Sequence, residues 1–244
     1  MFLALPADTP ELQREAHRLR YRVYCLERGF EDPAQNPGGL ERDAYDGHAV
    51  QALLLHRMTG QALGTVRLVL HRSGARHGTL PIHSICRDPR LGDPHILPFE
   101  TTAELSRLAI SKVIRRREGV DLYGDAARPD ARVADGRCAV PQLTLGLMTV
   151  ALQMGETYGV EQVCAVMEPA LLRLVARFGL CFRPLGPLVE YHGLRQPCYA
   201  RVDELLAGVA ATRPDVWTAM TERSRLRRSR VRPLPAPSLA ALWP

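Results

Sequence analysis

Lysine is almost missing from this 244-residue chain: Lys112 is the only one, and arginine carries the rest of the positive charge. That bias points to genome composition before it points to chemistry. The net charge of +6 is modest and partly gathered near the C-terminus, which argues against nucleic acid as the partner. A phosphate group, an acidic carrier protein or a membrane surface fits the excess. The six cysteines (25, 86, 138, 164, 181 and 198) include no C-x-x-C pair, which excludes the usual zinc and disulfide frameworks and favours reduced thiols. None of the eight histidines stands in an H-x-x-x-H or H-E-x-x-H context, so no metal centre is expected. There is no G-x-x-x-x-G-K-[ST] or clean G-x-G-x-x-G, and Ser106 lacks the G-x-S-x-G elbow of a hydrolase. Long apolar runs are missing too: residues 139–154 are interrupted by Pro141, Gln142 and Gln153 and are too short for a bilayer. The N-terminus is too short and uncharged for a signal peptide. These absences predict a cytoplasmic protein, with peripheral membrane contact left open.

What is present is a chain with a core, since 46% of its residues are hydrophobic. Residues 10–28 have helical spacing, with Leu12, Ala16, Leu19, Val23 and Leu26 near one face and Arg14, Arg18 and Arg22 beside it. Residues 31–39 hold two prolines and a diglycine and read as a loop. Residues 49–56 and 63–71 read as an antiparallel hairpin around Thr59 and Gly60. A long irregular stretch over 72–100 marks function or a substrate cover. A strand is predicted at 103–111, a poorly periodic stretch at 115–137 and a helix at 142–158. A buried strand at 160–167, a helix at 169–178 stopped by Gly179, and a closing strand at 198–202 follow. This order predicts an α/β chain with a mixed sheet. Five arginines between 224 and 232, then Pro233, Pro235 and Pro237, divide the chain into a domain over 1–212 and a basic, proline-rich tail over 213–244.

Three charged signatures carry the chemistry: Arg20 with Tyr24, then Glu41, Asp43 and Asp46, then Glu104 with Ser106 and Arg107. Arg67 stands among them in an apolar, β-branched run. Each charge is costly to bury alone, so their placement predicts one paired, water-poor polar site. Glu41 and Asp43 project to one side of an extended segment and raise each other's pKa unless a cation or a substrate amine neutralises them. Such a pair suits binding an ammonium and accepting its proton; a solvated acidic turn is the alternative. For Arg67 the alternative is a salt bridge that only holds the fold. Glu104 and Arg107, three residues apart, point to opposite faces of a regular strand, so either they serve two networks or a β-bulge re-aims one of them. A bulge would also expose a backbone N–H toward a developing oxyanion. His83 and His95 in the long loop are weaker candidates for substrate contact. The basic run Lys112, Arg115, Arg116 and Arg117 either meets a phosphate or an acidic helix, or is a solvated turn.

The ordered set resembles the acyl-homoserine lactone synthases and their relatives, the N-acyl amino acid synthases and exosortase-associated acyltransferases. The family's arginine, the aromatic four residues later and the tryptophan six beyond that fall on Arg20, Tyr24 and Phe30. Its Glu-x-Asp-x-x-Asp falls on Glu41, Asp43 and Asp46, its strand arginine on Arg67, and its Glu-x-Ser-Arg on Glu104, Ser106 and Arg107. The resemblance covers about residues 12–112 by motif. It implies a GNAT-like acyltransferase fold, α/β with a mixed, mostly antiparallel central sheet flanked by helices.

It further implies transfer of a fatty acyl group from acyl carrier protein or coenzyme A to the α-amine of a small amino acid. The amine attacks the thioester directly, with no bound cofactor and no covalent enzyme intermediate. In that scheme Glu41 is the base, directly or through a water, while Asp43 and Asp46 orient the acceptor or the N-terminal arginine. Arg20, Arg67 and Arg107 form a charge network with Glu104, and Tyr24, Phe30 and Ser106 face substrate. Main-chain N–H groups after Glu104 hold the thioester carbonyl, later apolar segments take the acyl chain, and Lys112, Arg115 and Arg116 meet the carrier or its phosphate. Phe30 in the tryptophan position loses an indole N–H. The long loop and basic tail fit the N-acyl amino acid relatives better than a synthase using S-adenosylmethionine. That lactone synthase is the first alternative, and a non-catalytic module docking on membrane or nucleic acid is the second.

Overall fold

A computed structural model of the chain describes residues 2–71, 79–112 and 140–222. Its first strand, β1 (Phe2–Pro6), was not foreseen. It runs antiparallel to β2 (Ala49–His56), with Leu3 opposite Leu55 and Pro6 opposite Ala52. A proline is tolerated there because β1 ends the strand order. Helix α1 (Pro10–Arg20) starts where Thr9 caps the N–H of Leu12 at 3.3 Å, with Pro10 in the first turn. The predicted helix over 10–28 does not continue as one form. After Arg20 it widens into a π-helix (Tyr21–Glu27), a rare geometry that gathers at functional sites.

Strand β3 (Ala62–Val69) is buried along its whole length. It neighbours β2, as the hairpin reading expected, and the turn between them is closed by His56 N–H donating to Gln61 O at 2.9 Å. The remaining strands are β4 (Thr102–Ile110), β5 (Gln162–Met167), β6 (Arg183–Pro184), β7 (Val189–Glu190) and β8 (Leu194–Arg201). The helices after α1 are α2 (Ile82–Ile85), α3 (Val140–Thr157), α4 (Pro169–Ala176), α5 (Val202–Thr212) and α6 (Pro214–Glu222). The chain is α/β with a mixed, mostly antiparallel arrangement of strands, as expected.

The chain divides into two compact units. The first comprises residues 1–46, 50–67 and 107–151. Its strands are ordered β1-β2-β3-β4, and Ala16 and Leu19 of α1, with Val23, pack on Leu53, Ala62 and Ala109. The second comprises residues 47–49, 68–106 and 152–244. Its strands are ordered β4-β5-β8-β6, with β7 pairing β8. Here β4 and β5 are parallel, Thr102 opposite Gln162, and their register ends at Leu105 opposite Ala165. In this unit Gly179 has φ +85°, and a Cβ on Gly208 would lie 2.5 Å from Gly179 O, so the approach of the two backbones admits no side chain.

The irregular stretch over 72–100 contains α2 and two short 3-10 turns, Pro89–Gly92 and Phe99–Thr101, while 72–78 lies outside the described residues. The tail boundary at 213 needs correcting. Helix α6 starts at Pro214 and buries Val216 and Met220, so folded structure runs to at least residue 222. Residues 115–137, with Arg115, Arg116 and Arg117, and the basic stretch from 224 lie outside the described residues. Among the described residues no helix is long and apolar enough to cross a membrane.

Candidate active site

Arg20 is the last residue of α1 and is fully buried. The loop that enters β2 wraps around its guanidinium, anchored by Glu41 N–H donating to His17 O at 3.1 Å. Arg20 Nε donates to Glu41 Oε2 at 2.5 Å, and its two terminal nitrogens donate to the two oxygens of Asp46 at 2.6 and 3.0 Å. Gln51 Oε1 on β2 accepts a further bond at 3.2 Å. From β3, the equally buried Arg67 donates through Nη1 to Asp43 Oδ1 at 2.6 Å and to Asp46 Oδ1 at 3.0 Å. From β4, Arg107 Nη2 donates to Glu41 Oε1 at 2.9 Å, Asp43 Oδ2 at 3.1 Å and Glu31 Oε1 at 3.3 Å. All of these groups lie in the first unit.

Arg107 reaches them because its backbone is in the left-handed region, φ +50°, in the middle of a strand. That conformation costs an L-residue roughly 1–2 kcal/mol and is the mark of a bulge. It is one of the two outcomes that the three-residue spacing from Glu104 left open. Tyr24 of the π-helix lies under the guanidinium, 5.2 Å from ring centre to Arg107 Cζ, and donates its hydroxyl to Leu108 O at 3.4 Å. Phe30 stands 6.2 Å from Tyr24, centre to centre.

Burial alone would raise the Glu41 carboxyl. The hydrogen bond from Arg20 and the charges of Arg107 and Arg20 outweigh it and hold the pKa down at about 2. Asp46 is likewise pushed up by burial but pulled further down by His17, by its bonds from Arg20 and by the Arg20 and Arg67 charges. The Arg107 guanidinium is disfavoured by burial, yet Glu41 holds it more firmly protonated than an ordinary arginine. Three guanidiniums thus face four carboxylates, Glu31, Glu41, Asp43 and Asp46, which leaves one negative charge in excess. The side chains open progressively toward solvent, from Glu41 at 2% exposed through Asp43 at 24% to Glu31 at 31%.

The structure therefore brings together Arg20, Tyr24, Phe30, Glu41, Asp43, Asp46, Arg67 and Arg107. Glu104 and Ser106 belong to the second unit, where Glu104 is buried and its Oε2 accepts from Ile82 N–H at 2.6 Å. Lys112 is engaged at the end of the π-helix: its Nζ donates to Glu27 O at 2.7 Å and its N–H to Glu27 Oε2 at 2.8 Å. His95 is exposed, and His83 lines a small cleft of the second unit. Both oxygens of Glu41 are taken by guanidiniums, and its pKa is held low. Sequence reasoning missed Glu31, Gln51 and His17. His17 stands 3.1 Å from Arg42 Nε, 2.8 Å from the Gln51 amide and 3.9 Å from Asp46. Glu31 could have been found as the residue after Phe30.

Residues 19–124 match the family model described as an acetyltransferase (GNAT) domain. The chain has the GNAT-like acyltransferase fold. Solved structures share it over most of their length. The AHL synthase LasI is 16% identical over 86% of this chain and 95% of its own, with a TM-score of 0.59. The N-acyl amino acid synthase FeeM, from uncultured soil microbes, is 16% identical over 85% of this chain and 94% of its own, with a TM-score of 0.56. The CoA-dependent acyl-homoserine lactone synthase BjaI, with SAM and isopentyl-CoA, is 20% identical over 91% of this chain and 88% of its own, with a TM-score of 0.54. At such identities the GNAT-like likeness is one of fold. No curated protein sequence matches the chain.

Proposed function

We propose that this GNAT-like protein is an N-acyltransferase that moves a fatty acyl group from an acyl-carrier-protein or coenzyme A thioester to the α-amine of a small amino acid. The observation that carries the reading is the excess negative charge at the open end of an otherwise neutralised, buried arginine–carboxylate network. Such an end attracts a cation, and an ammonium fits that charge. Solved structures named as synthases of acyl-homoserine lactones and of an N-acyl amino acid share the fold, which supports acyl transfer to an amine.

The reaction needs a neutral amine beside the thioester carbonyl. Its nitrogen attacks, a tetrahedral oxyanion forms, and collapse breaks the C–S bond without a covalent enzyme intermediate. Glu41 serves here as the fixed counter-ion of Arg20 and Arg107. Passing a proton from an α-amine, ordinarily near pKa 8, to a carboxyl held at about 2 is uphill by about 8 kcal/mol. Asp43 and Asp46 orient the acceptor through the arginines they hold. Backbone N–H groups beyond Glu104 hold the carbonyl. In the second unit Leu80, Leu91, Leu97 and Phe99, with His71 and His83, wall a small cleft.

The test is mass spectrometry of lipids from cells overexpressing the full chain, beside an empty-vector culture, and of the purified protein supplied with both thioester types. New N-acyl amino acids would name acceptor and chain length. Acyl-homoserine lactones would move the acceptor to S-adenosylmethionine. No acylated amine with either donor would remove the proposal.

A further inference from the structure

The network offers a seat for an ammonium, but most of its carboxylates are already committed. Both Glu41 oxygens and both Asp46 oxygens accept from guanidiniums. Asp43 accepts from Arg67 and Tyr45 N–H on one oxygen and from Arg107 on the other. Nearby Glu27 is taken by Ser111 and Lys112, and Asp32 by Ala34 N–H and Gln35. Glu31 differs. Its Oε1 makes one contact of 3.3 Å with Arg107 Nη2, which Glu41 holds closer, and its Oε2 has no hydrogen bond among the described residues. The residue is also well placed. Gly29 turns the chain at φ +65°, and the N–H groups of Phe30 and Glu31 both donate to Tyr24 O, at 2.8 and 3.3 Å, tying this loop to the π-helix.

We infer that Glu31 is a catalytic residue for the proposed acyl transfer: its open oxygen binds the acceptor's ammonium and takes the proton that must leave before attack. The inference rests on the acyltransferase reading above. The ammonium gives one proton to Glu31, and the neutral nitrogen forms the C–N bond. Loss of a second proton from that nitrogen and rupture of the C–S bond release the amide and a thiol, the thiolate taking up one proton. Glu31, half-open to water, returns its proton to solvent, so the balance is ammonium plus thioester giving amide, thiol and one free proton. The charged and titratable groups facing Glu31 are Arg107 on β4, Cys25 on the π-helix, neighbouring Asp32, and Glu41 and Asp43 across Arg107.

The experiment measures kcat/KM of the purified full chain from about pH 6 to about pH 10, with the standard amino acids as acceptors and palmitoyl thioesters of coenzyme A and of acyl carrier protein as donors. In the wild type the rate should level off near neutral pH. Glu31→Gln should lose roughly 10²–10³-fold there and regain about tenfold per pH unit, because it can use only amine that is already neutral. Glu31→Ala should recover part of its rate with added formate, which keeps the inference testable if the glutamine variant misfolds. A Glu31→Gln enzyme with the wild-type profile, or one changed in KM alone, overturns the role of Glu31 while leaving the acyltransferase reading intact. A wild type that acylates no amino acid with either donor overturns both.

Discussion

The first unit encloses the side chains of Arg20, Arg67 and Glu41, each at 2% exposure or less, whereas the second encloses mainly apolar groups and thiols. In the second unit Cys164 and Cys198 do no more than offer their sulfurs to Ala103 O and Ala165 O at 3.5 Å, and burial pushes both thiols up. Glu104 is the charged exception there. The difference teaches where each unit is fragile. A neutralised ion cluster fails when one partner leaves, because the remainder is left as uncompensated buried charge. An apolar interior fails by volume, in proportion to the cavity left behind.

The comparison is broken most directly at Arg20. Arg20→Ala strands Glu41 and Asp46 and should cost roughly 3–5 kcal/mol in urea unfolding; a loss below about 1 kcal/mol would mean that the network does not hold the first unit. In the second unit Leu180→Ala, at a fully buried position, should cost roughly 3–4 kcal/mol and by the same amount at every pH.

Acid should then separate charge from volume. The Glu41 pKa is depressed from 4.5 to about 2, so its contribution is complete above 4.5 and disappears as the pH falls toward 2. That loss is about 3 kcal/mol at most, and denaturant midpoints of Glu41→Gln should show a correspondingly flatter acid limb. The smallest effect concerns backbone. Arg107→Gly should be more stable than Arg107→Ala by about 1 kcal/mol, since only glycine takes φ +50° without strain; equal midpoints would remove the strain argument.

Much of the site was legible because charges in apolar or extended settings announce themselves. Arg67 in its β-branched run pointed to a carboxylate partner, while the spacing of Glu41, Asp43 and Asp46 fitted a solvated turn as well as a paired site. The three-residue offset of Glu104 and Arg107 left two readings open, separate networks or a backbone irregularity, and the structure has Glu104 bonded to Ile82 N–H and the irregularity at Arg107 itself. Glu31 was hidden by its surroundings, since Pro33, Pro37 and the diglycine made the whole segment read as generic loop. Gln51 and His17 were hidden by neutrality, as polar residues on elements chosen for their apolar faces. Strand β1 was lost because five residues ending in proline carry no period, and α6 because the stretch past 212 was read together with the arginines and prolines that follow it. The widening of the first helix has no sequence period that distinguishes it from α.

That widened turn also imposes a rule on chain length. An α-helix advances about 100° per residue, and a π-helical turn holds one residue more than an α-helical turn. Deleting any one residue of Tyr21–Glu27 would let the segment relax to ordinary α-helix with its hydrogen bonds intact. The shorter turn still completes one full rotation, so the chain beyond would keep its direction, and the change would fall on the residues of the turn itself, Tyr24 with its ring under Arg107 among them. A one-residue deletion between Tyr21 and Glu27 would thus leave a perfectly good helix behind and take the ring beneath Arg107 out of its place.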